Sequence, residues 1–230
     1  MVDWTDYSQA YDLLLEHNPA YQEIISDFVL FLKSNREPKK VLDIGAGTGN
    51  YSLAVLNAYP NSIVDLVEPD AGMASIARIK LKKFPNVKVI EQPISNFKWQ
   101  DYDLVISVHS LYAIPNYTET LKNIRISIKK SDGIGYLCNV GRILDIPDWR
   151  KYLVKINIKK HGFFKTIDLL WRGRVIAREN IKIAEKQKSG EYWTHTSEEF
   201  LLALNKNKLD IIDAAVLYRG YSDRAIVKSG

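Results

Sequence analysis

A glycine-rich segment, residues 43–49 with the sequence DIGAGTG, is the part of the chain best suited to bind a ligand. Glycines adopt turn angles that other residues avoid, and they let the backbone approach a ligand closely. The spacing differs from the Gly-x-Gly-x-x-Gly pattern of dinucleotide-binding proteins, since Asn50 stands where that pattern has its last glycine. The Walker A phosphate-binding sequence is absent as well. The Asp43 carboxylate beside the glycines favours a ligand with a cationic amino group.

A second acidic residue, Glu68, follows the next apolar stretch of the chain. A carboxylate at the end of a strand can accept hydrogen bonds from both hydroxyls of a ribose. Alone, such a residue is as readily a solvated loop acid. Placed after the glycine-rich turn, at the same edge of a sheet, it is predicted to bind a ribose.

The elements that position these residues alternate between strand and helix. Short apolar stretches at 40–44, 63–68, 87–91, 104–108 and 133–139 are predicted strands, with helices between them. Strands joined by helices predict a parallel sheet with both faces covered, and right-handed crossovers make it doubly wound. Ligands of such folds bind beyond the carboxyl ends of the strands. Two further strands, 210–217 and 222–228, are predicted to pair as an antiparallel hairpin.

Helical patterns flank this core on both sides. Asn18 is a predicted helix cap with Pro19 in the first turn, so residues 1–37 are expected to form a helical lid. Residues 141–205 are mostly helical in pattern and rich in aromatic and basic side chains, which suggests a cap over the substrate. We expect one domain over residues 1–230, with a core at 39–140 and the hairpin at 209–228.

Composition excludes several classes of protein. The single cysteine rules out a disulfide framework within the chain, and no metal site is predicted. No apolar run approaches the roughly 20 residues of a membrane span, so a cytoplasmic protein with no membrane partner is expected. The net charge of +5 permits nucleic-acid binding, although the dispersed lysines are better explained by solubility.

Three segments resemble motifs of the class I S-adenosylmethionine-dependent methyltransferases of the small-molecule type: residues 41–49, 67–70 and 103–107. The resemblance covers about residues 39–140, and the terminal hairpin also fits. It implies a Rossmann-like α/β fold with a seven-stranded sheet of order 3-2-1-4-5-7-6, strand 7 being antiparallel. It implies S-adenosylmethionine as the cofactor, bound by Asp43, Gly45, Ala46, Gly47, Gly49, Glu68, Pro69, Gln92, Pro93, Ile94 and Ser107.

Within that set, Asp43 would hold the amino group of the cofactor, and Glu68 would hold its ribose. The residues after the third strand depart from the family, because Pro93 stands where an acid commonly meets the adenine amino group. Gln92 or Ser95 is expected to supply that contact, with Ile94 packing on the ring.

Candidate catalytic residues are His109, Tyr11 and His195. His109 follows the fourth strand, where family members meet the substrate, and an imidazole with an ordinary pKa near ~6.5 can accept a proton. The alternative roles for His109 are a structural hydrogen bond or a contact to the methionine carboxylate of the cofactor, and ordinary helix packing is the alternative for Tyr7 and Tyr11. Expected substrate contacts are Tyr7, Tyr11, Tyr112, Trp171, Arg172 and Trp193.

The sequence therefore predicts an enzyme that transfers a methyl group, by in-line displacement, to a nitrogen or oxygen of a small molecule. Two alternatives are a methyltransferase acting on RNA or protein, and a cofactor-binding protein without turnover. The three arginines 172, 174 and 178 do not share one helix face, which weakens the RNA alternative.

Overall fold

Seven strands form the sheet of the computed structural model, which describes residues 2–230 apart from the side chains of residues 9 and 12–15. The strands are β1 (Lys40–Ile44), β2 (Ile63–Val67), β3 (Val87–Ile90), β4 (Leu104–Val108), β5 (Ile134–Val140), β6 (Leu209–Leu217) and β7 (Ser222–Ser229). Their order is β3-β2-β1-β4-β5-β7-β6, and β7 runs antiparallel to both of its neighbours. The predicted order and strand directions are confirmed.

Nine helices are described in the same part of the chain, beside three short 3₁₀ turns. They are α1 (Trp4–His17), α2 (Pro19–Ser34), α3 (Asn50–Ala58), α4 (Ala71–Leu81), α5 (Tyr117–Ser127), α6 (Ile146–His161), α7 (Phe163–Arg172), α8 (Arg174–Lys188) and α9 (Ser197–Lys206). Local signals fix several helix starts. Asn18 accepts a hydrogen bond from the backbone N–H of Ala20, and Thr196 and Glu199 form a reciprocal capping box.

Helices cover both faces of the sheet, as the doubly wound prediction requires. Successive side chains of a strand point to opposite faces. Along β1, Val41 packs into a cluster with side chains of α2, α3 and α4, whereas Leu42 and Ile44 pack with side chains of α5 and α9. Both faces are therefore buried. The polar groups able to meet a ligand lie at the carboxyl ends of the strands.

The N-terminal helix α1 packs against α2, α4 and α8, and the segment after β5 supplies the helices α6, α7 and α8. One of these, α7, directs an apolar face outward: Phe163, Phe164, Ile167, Leu170 and Trp171 are all exposed. Within the described residues, no helix combines the length and apolar character needed to cross a membrane.

Candidate active site

A cavity of about 570 Å³ lies at the carboxyl ends of the strands. Part of its wall comes from the turn after β1 and from the residues that follow β2 and β3. Another part comes from an aromatic group, which we define as Trp4, Tyr7, Tyr11, Tyr21, Tyr112, Tyr192 and Tyr218. The ends of the strands thus meet an aromatic wall in one cavity of a size suited to small ligands.

The glycine turn takes a backbone shape that requires glycine. Gly45, Gly47 and Gly49 have φ angles of 61°, 57° and 79°, in the left-handed region that other residues disfavour. A Cβ atom on Gly45 would lie 2.4 Å from the Cβ of Ser110. The turn and the segment after β4 are therefore in direct contact, and Ser110 secures that contact by donating a hydrogen bond to the Ile44 carbonyl at 2.9 Å.

Two carboxylates border the turn, and both are buried. Asp43 accepts hydrogen bonds from the backbone N–H and the hydroxyl of Ser52, at 3.1 and 2.7 Å. Glu68 accepts from the backbone N–H groups of Gly47 and Asp70, at 2.8 and 2.9 Å. Burial raises the pKa of Asp43 to about 6 and that of Glu68 to about 7, despite these hydrogen bonds. Such costly buried acids are typical of a binding site.

The aromatic group joins distant parts of the chain through contacts between rings. Ring centroids lie 5.6 Å apart for Trp4 and Tyr7, 5.6 Å for Tyr7 and Tyr11, and 5.7 Å for Tyr11 and Tyr21. The hydroxyls of Tyr11 and Tyr21 share a hydrogen bond of 2.6 Å. Tyr112 and Tyr192 form a further edge-to-face pair at 5.3 Å. These rings form an apolar wall with a few neutral hydroxyls.

His109 lines the cavity between the glycine turn and the aromatic group. Its Nε2 shares a hydrogen bond of 2.8 Å with the Ser222 hydroxyl, and its ring lies 4.9 Å from that of Tyr218. Both His109 and Tyr218 have positive φ angles, 51° and 56°, a strained state that clusters at functional sites. Burial lowers the pKa of His109 to about 3, so its imidazole is neutral near pH 7.

Most of the predicted site residues meet in this cavity. Those that line it are Asp43, Gly45, Ala46, Gly47, Glu68, Pro69, Pro93, Ile94, His109, Tyr7, Tyr11 and Tyr112. Three predicted cofactor contacts do not line it. Gly49 packs toward Leu66 and Leu81 in the core, Ser107 lies behind Ser110 with a hydroxyl contact of 2.7 Å, and Gln92 follows β3 outside the lining. Ser95 lines the cavity and stays the predicted adenine contact.

Two predicted substrate contacts lie on the outer surface instead. Trp171 is 64% exposed on α7, where the guanidinium of Arg174 lies over its ring, and neither Trp171 nor Arg172 lines the cavity. The reason is the orientation of α7, whose buried residues Thr166 and Leu169 lie opposite its apolar face. The structure therefore does not support the prediction that Trp171 and Arg172 contact the substrate.

His195 and Trp193 are also placed away from the cavity. His195 is buried, with its Nε2 2.9 Å from the Asn139 amide and its ring stacked on Phe200. Trp193 stacks on Tyr117 with 3.9 Å between the ring centroids. Packing and internal hydrogen bonds account for both side chains, which corrects the expectation that His195 is catalytic and that Trp193 meets the substrate.

The cavity also contains residues that the sequence predictions missed. Tyr51, in the first turn of α3, is 4% exposed, and its hydroxyl has no hydrogen-bond partner among the described residues. Four polar side chains come from α5 and its N-cap residue at the spacing of one helix face, which was a detectable signal: the cap Asn116, and Glu119, Thr120 and Asn123. Trp4, Tyr21, Tyr192 and Tyr218 carried no such signal, because they come from separate parts of the chain and meet only in the folded protein.

A family model described as a methyltransferase domain matches residues 16–181 of this chain. The chain is a class I S-adenosylmethionine-dependent methyltransferase. The prediction of a methyltransferase enzyme agrees with this family.

Individual relatives agree on this methyltransferase family. The chain is 32% identical over 79 residues to malonyl-(acyl-carrier protein) O-methyltransferase 1 of Ilyobacter polytropus, a match that covers 34% of this chain and 30% of that protein. Two solved structures share the fold at 16% identity. They are mitomycin 7-O-methyltransferase MmcR (TM-score 0.58, covering 94% of this chain and 60% of that one) and magnesium protoporphyrin IX methyltransferase of Synechocystis PCC 6803 with bound SAH (TM-score 0.62, covering 93% and 85%).

The residues present fit S-adenosylmethionine, the cofactor of this family. The glycine turn allows close approach, the Asp43 carboxylate can meet a cationic amino group, and Glu68 keeps lone pairs free for ribose hydroxyls. The unpartnered Tyr51 hydroxyl adds a buried polar atom that a ligand would satisfy. We therefore expect Asp43, Glu68 and Tyr51 to hold the cofactor.

The raised pKa of Glu68 predicts a pH-dependent affinity for the cofactor. A ribose hydroxyl donates to the ionised carboxylate, so binding below pH 7 must expel the Glu68 proton. With a ligand-free pKa of about 7, the dissociation constant of S-adenosylhomocysteine is expected to be about tenfold higher at pH 6 than at pH 8. Calorimetric titration across this range measures it.

The raised pKa of Glu68 also predicts how the stability of the ligand-free protein changes with pH, and this stability serves as a control. Because the unfolded chain loses the Glu68 proton at lower pH than the folded protein, the ligand-free protein should become less stable as the pH rises from about 4.5 to 7. An affinity for S-adenosylhomocysteine that is flat over the whole range would contradict the assignment of Glu68 to the ribose.

Proposed function

We propose that the enzyme transfers the methyl group to a nitrogen or oxygen of a small organic molecule held by the aromatic group. The observation that carries this proposal is the sharing of one cavity by the glycine turn and the aromatic group. Contact between Gly45 and Ser110 brings the segment of His109 and Tyr112 beside the turn. An acceptor lying on the tyrosine rings would therefore be next to the expected cofactor position.

The cofactor, when bound, supplies an activated methyl carbon. The chain's own part is to position the reactants and to exclude water. Asp43 and Glu68 orient the cofactor from the sheet, and the rings of the aromatic group orient the acceptor from the other side. The helix α1 packs against α4, and its residues Tyr7 and Tyr11 line the cavity, which supports a lid role for the N-terminal helices.

An RNA substrate is less well supported by the contacts of the basic residues. Arg174 lies over the Trp171 ring, and Arg178 pairs with Asp6 and Glu179. These guanidinium groups are engaged within the chain, in separate places, and do not form a continuous basic stripe. A cavity of about 570 Å³ with an aromatic wall suits a small molecule better than a polymer.

Melting curves test the cofactor half of this function. S-adenosylhomocysteine at 100 times its dissociation constant should stabilise the protein by about 2.7 kcal/mol, through mass action alone. NAD at the same concentration should leave the melting temperature unchanged, because the turn lacks the dinucleotide spacing. Absence of any shift with S-adenosylhomocysteine would refute the cofactor assignment.

Transfer of a labelled methyl group tests the acceptor half. The enzyme is incubated with labelled S-adenosylmethionine and with separate small-molecule, RNA and protein fractions of a cell extract. We expect label in the small-molecule fraction. Label confined to RNA or protein would overturn the proposed substrate class, and RNA binding would also show a steep dependence on salt.

A further inference from the structure

The charges around the cavity restrict what the acceptor can be. Among the described residues that line the cavity there is no lysine or arginine, and the chain positions whose side chains are not described hold neither residue type. The charged side chains in the wall are the acids Asp43, Glu68 and Glu119. A carboxylate or phosphate on the acceptor, bound against the aromatic group, would lose its hydration without gaining a cationic side chain from the described lining residues, which is unfavourable.

Proton acceptors are equally scarce beside the aromatic group. His109 Nε2 is engaged with Ser222, and burial keeps the pKa of its ring near 3, so it is a weak base. Asp43 is bonded to Ser52, and Glu68 to two backbone N–H groups. A phenol or alcohol must lose its proton to become a good nucleophile, and apart from Glu119 the described lining residues offer no carboxylate that is not expected to contact the cofactor.

We infer that the acceptor is a small amine that reacts as its free base, an inference that rests on the proposed function. An unprotonated amine carries its own lone pair, so it needs neither a protein cation nor a protein base. The lone pair of the acceptor nitrogen forms the new N–C bond, while the C–S bond of the cofactor breaks and the sulfur keeps its electron pair. One positive charge passes from sulfur to nitrogen, and the product leaves as an ammonium ion that exchanges its proton with water.

The charge of the cofactor and the aromatic group together suit this step. The sulfonium of a bound cofactor would already carry a positive charge, which disfavours a second positive charge on a neighbouring amine and so favours the free base. Once the charge has moved to nitrogen, the electron-rich faces of tyrosine and tryptophan stabilise it by cation–π attraction. The hydroxyls of Tyr11 and Tyr21, already bonded to each other, add polarity without charge.

Binding to the enzyme loaded with S-adenosylhomocysteine separates the acceptor classes. Benzylamine, p-cresol and benzoate have similar size and shape but differ in the reacting group. We expect calorimetric titration at pH 8 to give a dissociation constant for benzylamine at least about tenfold below that for benzoate. With labelled S-adenosylmethionine and a panel of matched amines, phenols and acids, label should enter the amines. Equal or tighter binding of benzoate, or transfer confined to acids or phenols, would overturn the inference.

A charge-introducing variant gives an independent check. Trp4 is only partly buried in the cavity wall, so Trp4→Lys places an ammonium there, and Trp4→Leu removes the same ring without adding charge. We expect benzoate to bind Trp4→Lys more tightly than it binds Trp4→Leu, and benzylamine to bind it less tightly. Unchanged relative affinities would count against the charge argument.

These experiments distinguish a failure of the amine inference from a failure of the proposed function. If the enzyme binds S-adenosylhomocysteine and methylates a small acid or phenol, the amine inference is wrong and the proposed function stands. If label enters only RNA or protein, the proposed function itself is wrong. Stabilisation of each Trp4 variant by S-adenosylhomocysteine shows that the variant is folded and retains its cofactor site.

Discussion

Replacement of Glu68 by alanine is expected to weaken the binding of S-adenosylhomocysteine by about 100-fold or more. In the expected complex, the carboxylate accepts hydrogen bonds from the ribose, and hydrogen bonds to charged groups contribute about 1.5–3 kcal/mol each. Alanine also removes the acceptor that holds the Gly47 N–H at 2.8 Å, so the glycine turn loses a constraint. Calorimetry gives the affinity, and the ligand-induced melting shift gives a second measure.

His109→Ala is the matched control for this experiment. His109 lines the same cavity, but its Nε2 shares a hydrogen bond with Ser222 and its ring meets that of Tyr218 edge to face, so it is not expected to contact the ribose. We expect this variant to keep its stabilisation by S-adenosylhomocysteine and to lose turnover, because the rings beside the acceptor shift. An affinity of Glu68→Ala within about threefold of the wild type would contradict the ribose assignment.

Substitution of Gly45 by alanine is expected to destabilise the protein by about 2–4 kcal/mol and to abolish cofactor binding. The new Cβ would meet the Ser110 Cβ at 2.4 Å, well inside van der Waals contact, at a residue with a φ of 61°. If Ser110 moved aside, its hydroxyl would give up the hydrogen bond to the Ile44 carbonyl. Urea unfolding of the ligand-free protein measures the loss of stability.

Gly47→Ala separates the two causes of that loss. Gly47 has a similar φ of 57°, but the nearest atom to an added Cβ is the Met73 sulfur at 3.9 Å, an ordinary contact. It should therefore pay the backbone cost of about 1–2 kcal/mol without the clash. Equal stabilities of the two variants would show that Ser110 does not constrain the turn. Addition of Ser110→Gly to Gly45→Ala should restore part of the lost stability.

Local sequence patterns were sufficient for much of the fold. The apolar stretch before Asp43, the positive-φ glycines and the prolines after helical segments act over a few residues, so they can be found without knowing what packs where. The caps at Asn18 and Thr196 are of the same kind. Strand order, by contrast, came from the resemblance to a family, because hydrophobic periodicity does not say which strands are neighbours.

In the aromatic segment after β5, local sequence patterns did not predict which aromatic residues line the cavity. Trp171 and Tyr192 are both aromatic residues of one helical region, and the sequence favoured Trp171 as a substrate contact. The structure turns the apolar face of α7 outward and places Tyr192 against Tyr112 in the cavity wall. Apolar periodicity identifies a helix face, but the packing of the neighbouring helices decides whether that face is buried or exposed.

Local sequence patterns identified the glycine turn with its acidic partners Asp43 and Glu68, and through them the cofactor. The aromatic side of the cavity became visible only in the folded protein. The aromatic group joins residues as far apart as Trp4 and Tyr218, and the described residues that line the cavity include no lysine or arginine. The physical reason is that a cofactor turn is built from consecutive residues with fixed backbone angles, whereas a cavity wall is a product of long-range packing.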